Sequence, residues 1–138
     1  MKKKGFTLVE LLAIIVILGI IGLIGVSVYN NVQKEASNKL YEEQLNEIEN
    51  RIRSYVLENE GKTLNIEGNN IKLDIYKENT TINIPISFLI TEGVLEKYPI
   101  NPKCGKKIEG YYTLKVTVPG TYILEYHMSN SEETFCKV

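Results

Sequence analysis

Residues 2–28 read KKKGFTLVELLAIIVILGIIGLIGVSV, and this stretch decides the fold. Three lysines and a glycine precede an apolar run over residues 6–28, where 17 of 23 residues are hydrophobic and only Glu10 is charged. A helix of 23 residues measures roughly 34 Å, which is enough to cross a hydrocarbon core of about 30 Å. The lysines favour a cytoplasmic N-terminal end. The sequence therefore predicts one membrane-spanning helix with its C-terminal domain outside the cytoplasm.

Two simpler interpretations of this stretch are a secretory signal peptide and a plain membrane anchor. A signal peptide has a shorter apolar region that ends in a small-residue cleavage site, and residues 26–28 match such a site poorly. A plain anchor leaves Glu10 unexplained, because a carboxylate near the centre of a membrane helix costs about 2.5–3.5 kcal/mol. An acid at this place predicts a functional partner.

The order of these residues closely resembles the N-terminus of type IV pilins and pseudopilins: a lysine-rich leader ending in Gly5, then Phe6, Glu10 and an unbroken apolar helix. The resemblance covers about the first thirty residues. It implies that a prepilin peptidase removes the leader, residues 1–5, by cleaving between Gly5 and Phe6, and that it N-methylates Phe6. It also implies that Glu10 pairs with the amino group of a neighbouring Phe6 during assembly, since opposite charges attract strongly in an apolar medium.

The resemblance further implies the partners and the location of the protein. Identical or related pilin subunits form the filament, and an assembly ATPase and an inner-membrane platform protein drive its growth. The subunit spans the cell membrane once before assembly and becomes part of an extracellular pilus or pseudopilus afterwards, serving adhesion, motility or DNA uptake. Alternatives are a competence or type II secretion pseudopilin, or a single-pass membrane protein with an external binding domain that never polymerises. The Lys-, Ile- and Asn-rich composition suits a Gram-positive member of the family.

Three glycines at positions 19, 22 and 25 are spaced three apart in the apolar run. They favour close helix–helix packing in the membrane, or they weaken the helix locally, since each glycine costs about 1 kcal/mol relative to alanine. Many pilins have a proline where this chain has Ser27, so the place of any melted stretch stays open.

Residues 29–60 change to an amphipathic pattern and predict the second half of one long helix, from about residue 6 to 58. The apolar stripe recurs mostly every three or four residues; its members are Val32, Ala36, Tyr41, Leu45, Ile48, Ile52 and Tyr55. Packing on the chain's own sheet is favoured over a coiled coil, because two heptads are too few for the latter. Gly61 is the expected C-terminal cap.

Residues 61–138 predict a loop and a small antiparallel sheet of three to five strands. Residues 62–84 read as extended, with a hairpin turn at 68–70, and residues 84–93 as one or two helical turns. Residues 111–118 and 121–128 are strong strands around a Pro-Gly turn, and residues 133–138 suit a final edge strand. The expected fold is α+β, a pilin-like ladle with the long helix as handle.

The two cysteines, Cys104 and Cys136, both lie in the exported part, where a lone pair most simply forms a disulfide. Closing a loop of about 33 residues stabilises the fold by roughly 3–4 kcal/mol. Two reduced thiols are the alternative. A zinc site is not expected, since two cysteines and the single His127 fall short of four ligands.

No motif in the sequence predicts catalysis. His127 ends a strand pattern and has no nucleophile or carboxylate motif beside it, and phosphate loops and metal arrays are absent from the sequence. We therefore expect no enzymatic activity, cofactor or metal.

The charge pattern gives one weaker lead. The chain without residues 1–5 has 13 basic and 17 acidic residues, whereas residues 97–116 hold five lysines and one glutamate. Three tyrosines, Tyr98, Tyr111 and Tyr112, are interleaved with them, and such a basic aromatic patch can hold DNA. A solvated loop, or lysines that complement acids such as Glu42 and Glu43 on the next subunit, is the favoured interpretation.

Overall fold

The computed structural model describes residues 5–136 and divides into two compact units, Met1–Ser37 and Asn38–Val138. Most of the predicted leader, residues 1–4, and the end of the predicted last strand, residues 137–138, lie outside the described range.

The first unit contains the N-terminal part of helix α1 (Leu8–Glu58). In this part, which ends at residue 37, the large apolar side chains are exposed. Among the described residues this helix alone is long and apolar enough to cross a membrane. It is unbroken through the three glycines, and a side chain placed on any of them would meet nothing within 4 Å. No other part of the described chain therefore packs against these three glycines.

In the second unit, α1 buries one side against the domain core. The buried side chains are Tyr41, Ile48, Ile52 and Val56. The predicted stripe was wrong at its start, since Val32 and Ala36 are exposed and belong to the first unit. At its other end Tyr55 is half-buried and packs against the core, next to the fully buried Val56. The 3.6-residue periodicity continues past the place where the domain begins, so it cannot mark where burial starts.

Two antiparallel sheets complete the second unit. Strands β1 (Thr63–Ile66) and β2 (Asn69–Lys72) form a hairpin, and β3 (Thr81–Pro85), β4 (Tyr111–Val118) and β5 (Thr121–His127) form a sheet in the order β3-β4-β5. Helix α2 (Ile86–Thr91) follows β3, as the sequence predicted. The long helix and the small antiparallel sheets confirm the α+β class.

The hairpin differs from its prediction in the position of the turn. Glu67 and Gly68 form it, both with positive φ (52° and 83°), while Asn69 and Asn70 already belong to β2. Two-residue hairpin turns require left-handed backbone, which glycine adopts readily and glutamate does not. Leu73 is fully buried but lies beyond the short β2.

Strand β3, at one edge of the three-stranded sheet, was predicted only as part of an extended region. It pairs with β4 through Ile82↔Leu114 and Ile84↔Tyr112, and all four side chains are buried. The alternation of isoleucines with polar residues was the available signal.

The predicted final edge strand was wrong. Residues 130–136 form helix α3 (Asn130–Cys136) instead. The Ser129 side chain accepts a hydrogen bond from the Glu132 backbone N–H (3.3 Å), and Glu132 Oε2 accepts one from the Ser129 N–H (3.4 Å). This capping box begins the helix, and the disulfide between Cys136 and Cys104 ties its end to the loop between α2 and β4.

Candidate processing and assembly site

The peptide bond between Gly5 and Phe6 lies in non-helical backbone before the first helical residue, Leu8. Phe6 is 77% exposed, and a side chain built on Gly5 would meet nothing within 4 Å. The described residues on either side of this bond are therefore not covered by the rest of the described chain.

Thr7 and Glu10 form a second capping box at the start of α1. The Thr7 backbone N–H donates to Glu10 Oε2 (2.9 Å), and the Thr7 hydroxyl donates to the same oxygen (3.1 Å). The oxygen of the same hydroxyl accepts a hydrogen bond from the Glu10 backbone N–H (3.3 Å). The carboxylate also lies in the first helical turn, where the positive end of the helix dipole favours an anion.

The capping box gives Glu10 a local partner within its own chain. Hydrogen bonds from Thr7 reduce the cost of placing the carboxylate in an apolar surrounding. Sequence reasoning missed Thr7, although the T-x-x-E spacing of residues 7–10 is the standard signature of a capping box.

The apolar part of α1 offers a continuous surface with no cover from the chain. An open groove of about 540 Å³ on it is lined by Ile21, Ile24, Gly25, Val28, Tyr29 and Val32. A surface of this kind is stable only in lipid or against other apolar helices.

Far along the chain, a buried acid organises the disulfide end of the domain. Glu132 is fully buried and accepts a hydrogen bond from the Tyr126 hydroxyl, which itself accepts one from the Gly110 N–H (3.1 Å). The Tyr126 ring lies 5.1 Å from that of Tyr112, whose hydroxyl donates to the Leu45 carbonyl of α1 (3.1 Å). The cluster therefore links α3 to the sheet and the sheet to α1.

Burial governs the titration of the tyrosines in this cluster. It raises the pKa of Tyr41 to about 12, with a smaller contribution from the negative charge of Glu132. Burial likewise raises the pKa of Tyr126, and the hydrogen bond to Glu132 adds to the effect. Among the described residues, the Tyr41 hydroxyl and Oε1 of Glu132 have no hydrogen-bond partner.

Of the three aromatic rings in the DNA hypothesis, one lies beside a lysine of the loop. Lys107 lies over Tyr98 (5.4 Å), while Tyr112 is fully buried and Tyr111 stacks on His127 (4.9 Å between ring centres). Tyr112 cannot stack on a nucleobase, so its place in the predicted basic aromatic patch was wrong. His127 is the last residue of β5, as expected for a strand residue.

The described residues contain no group of three or more His, Cys, Asp or Glu side chains able to hold a metal ion.

Residues 1–26 match the family model of the prokaryotic N-terminal methylation motif. No curated protein and no solved structure matches the chain. The motif spans about a fifth of the sequence and supports the type IV pilin and pseudopilin family, whose members are structural subunits. The match supports a prepilin-type substrate, and the apolar N-terminal helix that follows the motif suits a membrane anchor.

Proposed function

We propose that the protein is a structural subunit of a type IV pilus or pseudopilus. Prepilin peptidase cleaves it between Gly5 and Phe6 and methylates the new amino group of Phe6. An assembly ATPase and a membrane platform protein then move the subunit from the membrane into a helical filament outside the cell. The observation that carries this proposal is the methylation motif at the head of an uncovered apolar helix.

Glu10 is the assembly residue in this proposal. In the free subunit its carboxylate is bonded to Thr7. During assembly the carboxylate forms an ion pair with the amino group of Phe6 of a neighbouring subunit. Two opposite charges in an apolar medium attract far more strongly than a charge attracts a neutral hydroxyl. The capping box thus holds the carboxylate in place until that partner arrives.

Mass spectrometry of the mature N-terminus, together with a Glu10→Gln variant, tests the proposal. We expect a mature chain that begins at methylated Phe6, with Glu10→Gln processed but not assembled. The matched control is Glu78→Gln, an exposed acid in the loop before β3, which is expected to assemble normally. A chain that keeps Met1, or that is cut near residue 28, contradicts the processing step. Normal filaments with Glu10→Gln contradict the assembly role.

The alternative of a non-polymerising membrane protein predicts processing or anchoring without filaments. The neighbouring genes separate pilus, competence and secretion systems, since these differ in the proteins encoded beside the subunit.

A further inference from the structure

Near the disulfide, an aromatic residue of α3 lies beside a lysine of a loop that is distant from it in the sequence. Cys104 and Cys136 join the loop of residues 97–107 to α3, and Lys106 then lies 4.5 Å from the Phe135 ring centre. Ile100 pairs with Lys107 in an isolated bridge, so their side chains are neighbours on one side of the loop. We define the cationic loop surface as Ile100, Lys103, Lys106, Lys107 and Phe135.

This surface has an apolar part as well as a charged one. Ile100 is 47% exposed and Phe135 is 57% exposed, and the lysines lie beside them. Exposed apolar side chains bordered by charges are the usual composition of a protein–protein contact. A phosphate backbone would cover the lysines but would leave the two apolar side chains in water.

A second surface of opposite character lies on α1 in the same unit. Leu40 is 52% exposed and lies about one turn before the exposed Glu43, so the two share a face, and the exposed Glu42 lies on the face next to Glu43. We define the acidic helix surface by these three residues. Like the cationic loop surface, it combines exposed apolar and charged side chains, but its charges are negative.

Within one chain, not all of the acidic helix surface can face the lysines of the cationic loop surface. Tyr41 points to the loop, since the Lys103 ammonium lies 4.8 Å from its ring centre. Glu43 is two residues further along α1, about 200° around the helix at 3.6 residues per turn, and so points away from that loop.

We propose that the cationic loop surface of one subunit docks on the acidic helix surface of the next. The proposal rests on the proposed function, for which it names a contact between neighbouring domains. Two different complementary surfaces on one chain make a head-to-tail contact, and such contacts propagate into rings or open helical polymers instead of closed dimers. The disulfide has a specific role in it, because it places Phe135 beside Lys106.

A second copy fits the surface better than a nucleic acid. The chain without residues 1–5 has four more acidic than basic residues, which repels a polyanion as a whole. The surface also contains no arginine, the residue that binds phosphate in a bidentate manner.

Charge reversal and re-pairing tests the contact. Lys106→Glu/Lys107→Glu and Glu42→Lys/Glu43→Lys are each expected to lower the yield of sheared filaments about tenfold or more, because like charges then face each other. The combination of all four changes restores opposite charges and is expected to recover most of the yield. The matched control, Lys72→Glu/Lys77→Glu, reverses two exposed lysines elsewhere and should assemble normally. Non-reducing electrophoresis verifies that each variant keeps its disulfide.

A photo-crosslinker in place of Ile100 gives an independent measurement. We expect a crosslink to the peptide of a second copy that contains Glu42 and Glu43. Normal filaments from both reversed variants, or a crosslink to another part of the neighbour, overturns this contact and leaves the pilin function intact. Filaments that assemble normally but lose bound DNA on Lys106→Glu/Lys107→Glu also overturn it. A wild-type chain that is processed but never polymerises overturns the proposed function itself, and the contact with it.

Discussion

The Tyr126 hydroxyl donates a hydrogen bond to the fully buried carboxylate of Glu132, and this bond joins β5, the last strand of the sheet, to helix α3. A buried carboxylate persists only where hydrogen bonds compensate for its lost hydration. Oε2 of Glu132 receives that compensation from Tyr126 and from the backbone of Ser129. The disulfide therefore closes a segment that is also held by a buried polar network.

Glu132→Ala is expected to destabilise the domain by about 2–4 kcal/mol, because it removes the capping box and a hydrogen bond to a charged group. Glu132→Gln keeps the shape and is expected to lose less. Chemical denaturation of the processed chain in detergent, followed by near-UV circular dichroism, measures the difference. The control is Glu125→Ala, an exposed position on β5, expected to change stability by less than about 0.5 kcal/mol. Equal stability of Glu132→Ala and Glu125→Ala would contradict a structural role for the buried acid.

The domain is expected to lose stability at alkaline pH. Burial raises the pKa of Tyr41 to about 12, whereas an unfolded tyrosine titrates near 10. The folded state therefore keeps a proton that the unfolded state loses, so this contribution is complete below about pH 10 and disappears as the pH rises towards 12.

Tyr41→Phe supplies the comparison for this pH dependence. It removes the titrating hydroxyl and keeps the ring beneath Lys103. The unfolding free energy of the wild type, measured at pH 8 and at pH 11, is expected to fall more than that of the variant. An identical fall in both proteins would show that other groups account for the alkaline loss.

Gly110 is expected to tolerate no side chain. A Cβ at this position would collide with the His127 carbonyl and with the Tyr126 ring, and a backbone atom cannot move aside cheaply. Gly110→Ala should therefore destabilise the domain by about 1–3 kcal/mol, the usual cost of overpacking. Glu109→Ala, at the exposed neighbouring position, is the control. Thermal unfolding of the two variants measures the effect, and equal melting temperatures would contradict it.

The sequence predicted the elements whose signals are local. The apolar run and the amphipathic pattern after it defined α1, and the Pro-Gly turn between two β-rich segments defined β4 and β5. Helix α3 was missed because residues 133–138 alone have strand-like character, whereas the start of the helix is decided by Ser129 and Glu132. A fully buried glutamate was not predictable, since only the assembled fold brings Tyr126 to it.

The candidate assembly site can be read from the sequence only in part, for a different reason, and the roles of its residues stay predictions. Gly5, Phe6 and Glu10 come from a motif that reads along the chain. The role of Thr7 depends on the direction of its hydroxyl, which becomes apparent only when the first helical turn is formed. The domain surfaces are less predictable still, because Lys106 and Phe135 are 29 residues apart in the sequence and come together near the disulfide.

Thr7→Val is expected to destabilise the first turn of α1. Valine has the shape of threonine but lacks the hydroxyl that exchanges hydrogen bonds with Glu10, so the loss of the cap should cost about 1 kcal/mol. Hydrogen exchange of the amides of Leu8, Val9 and Glu10 in detergent micelles measures the change, and we expect roughly fivefold faster exchange. Thr7→Ser keeps the hydroxyl and should exchange like the wild type. If Thr7→Val and Thr7→Ser exchange equally, the side chain of Thr7 does not cap the helix, and the carboxylate of Glu10 is held by the backbone N–H alone.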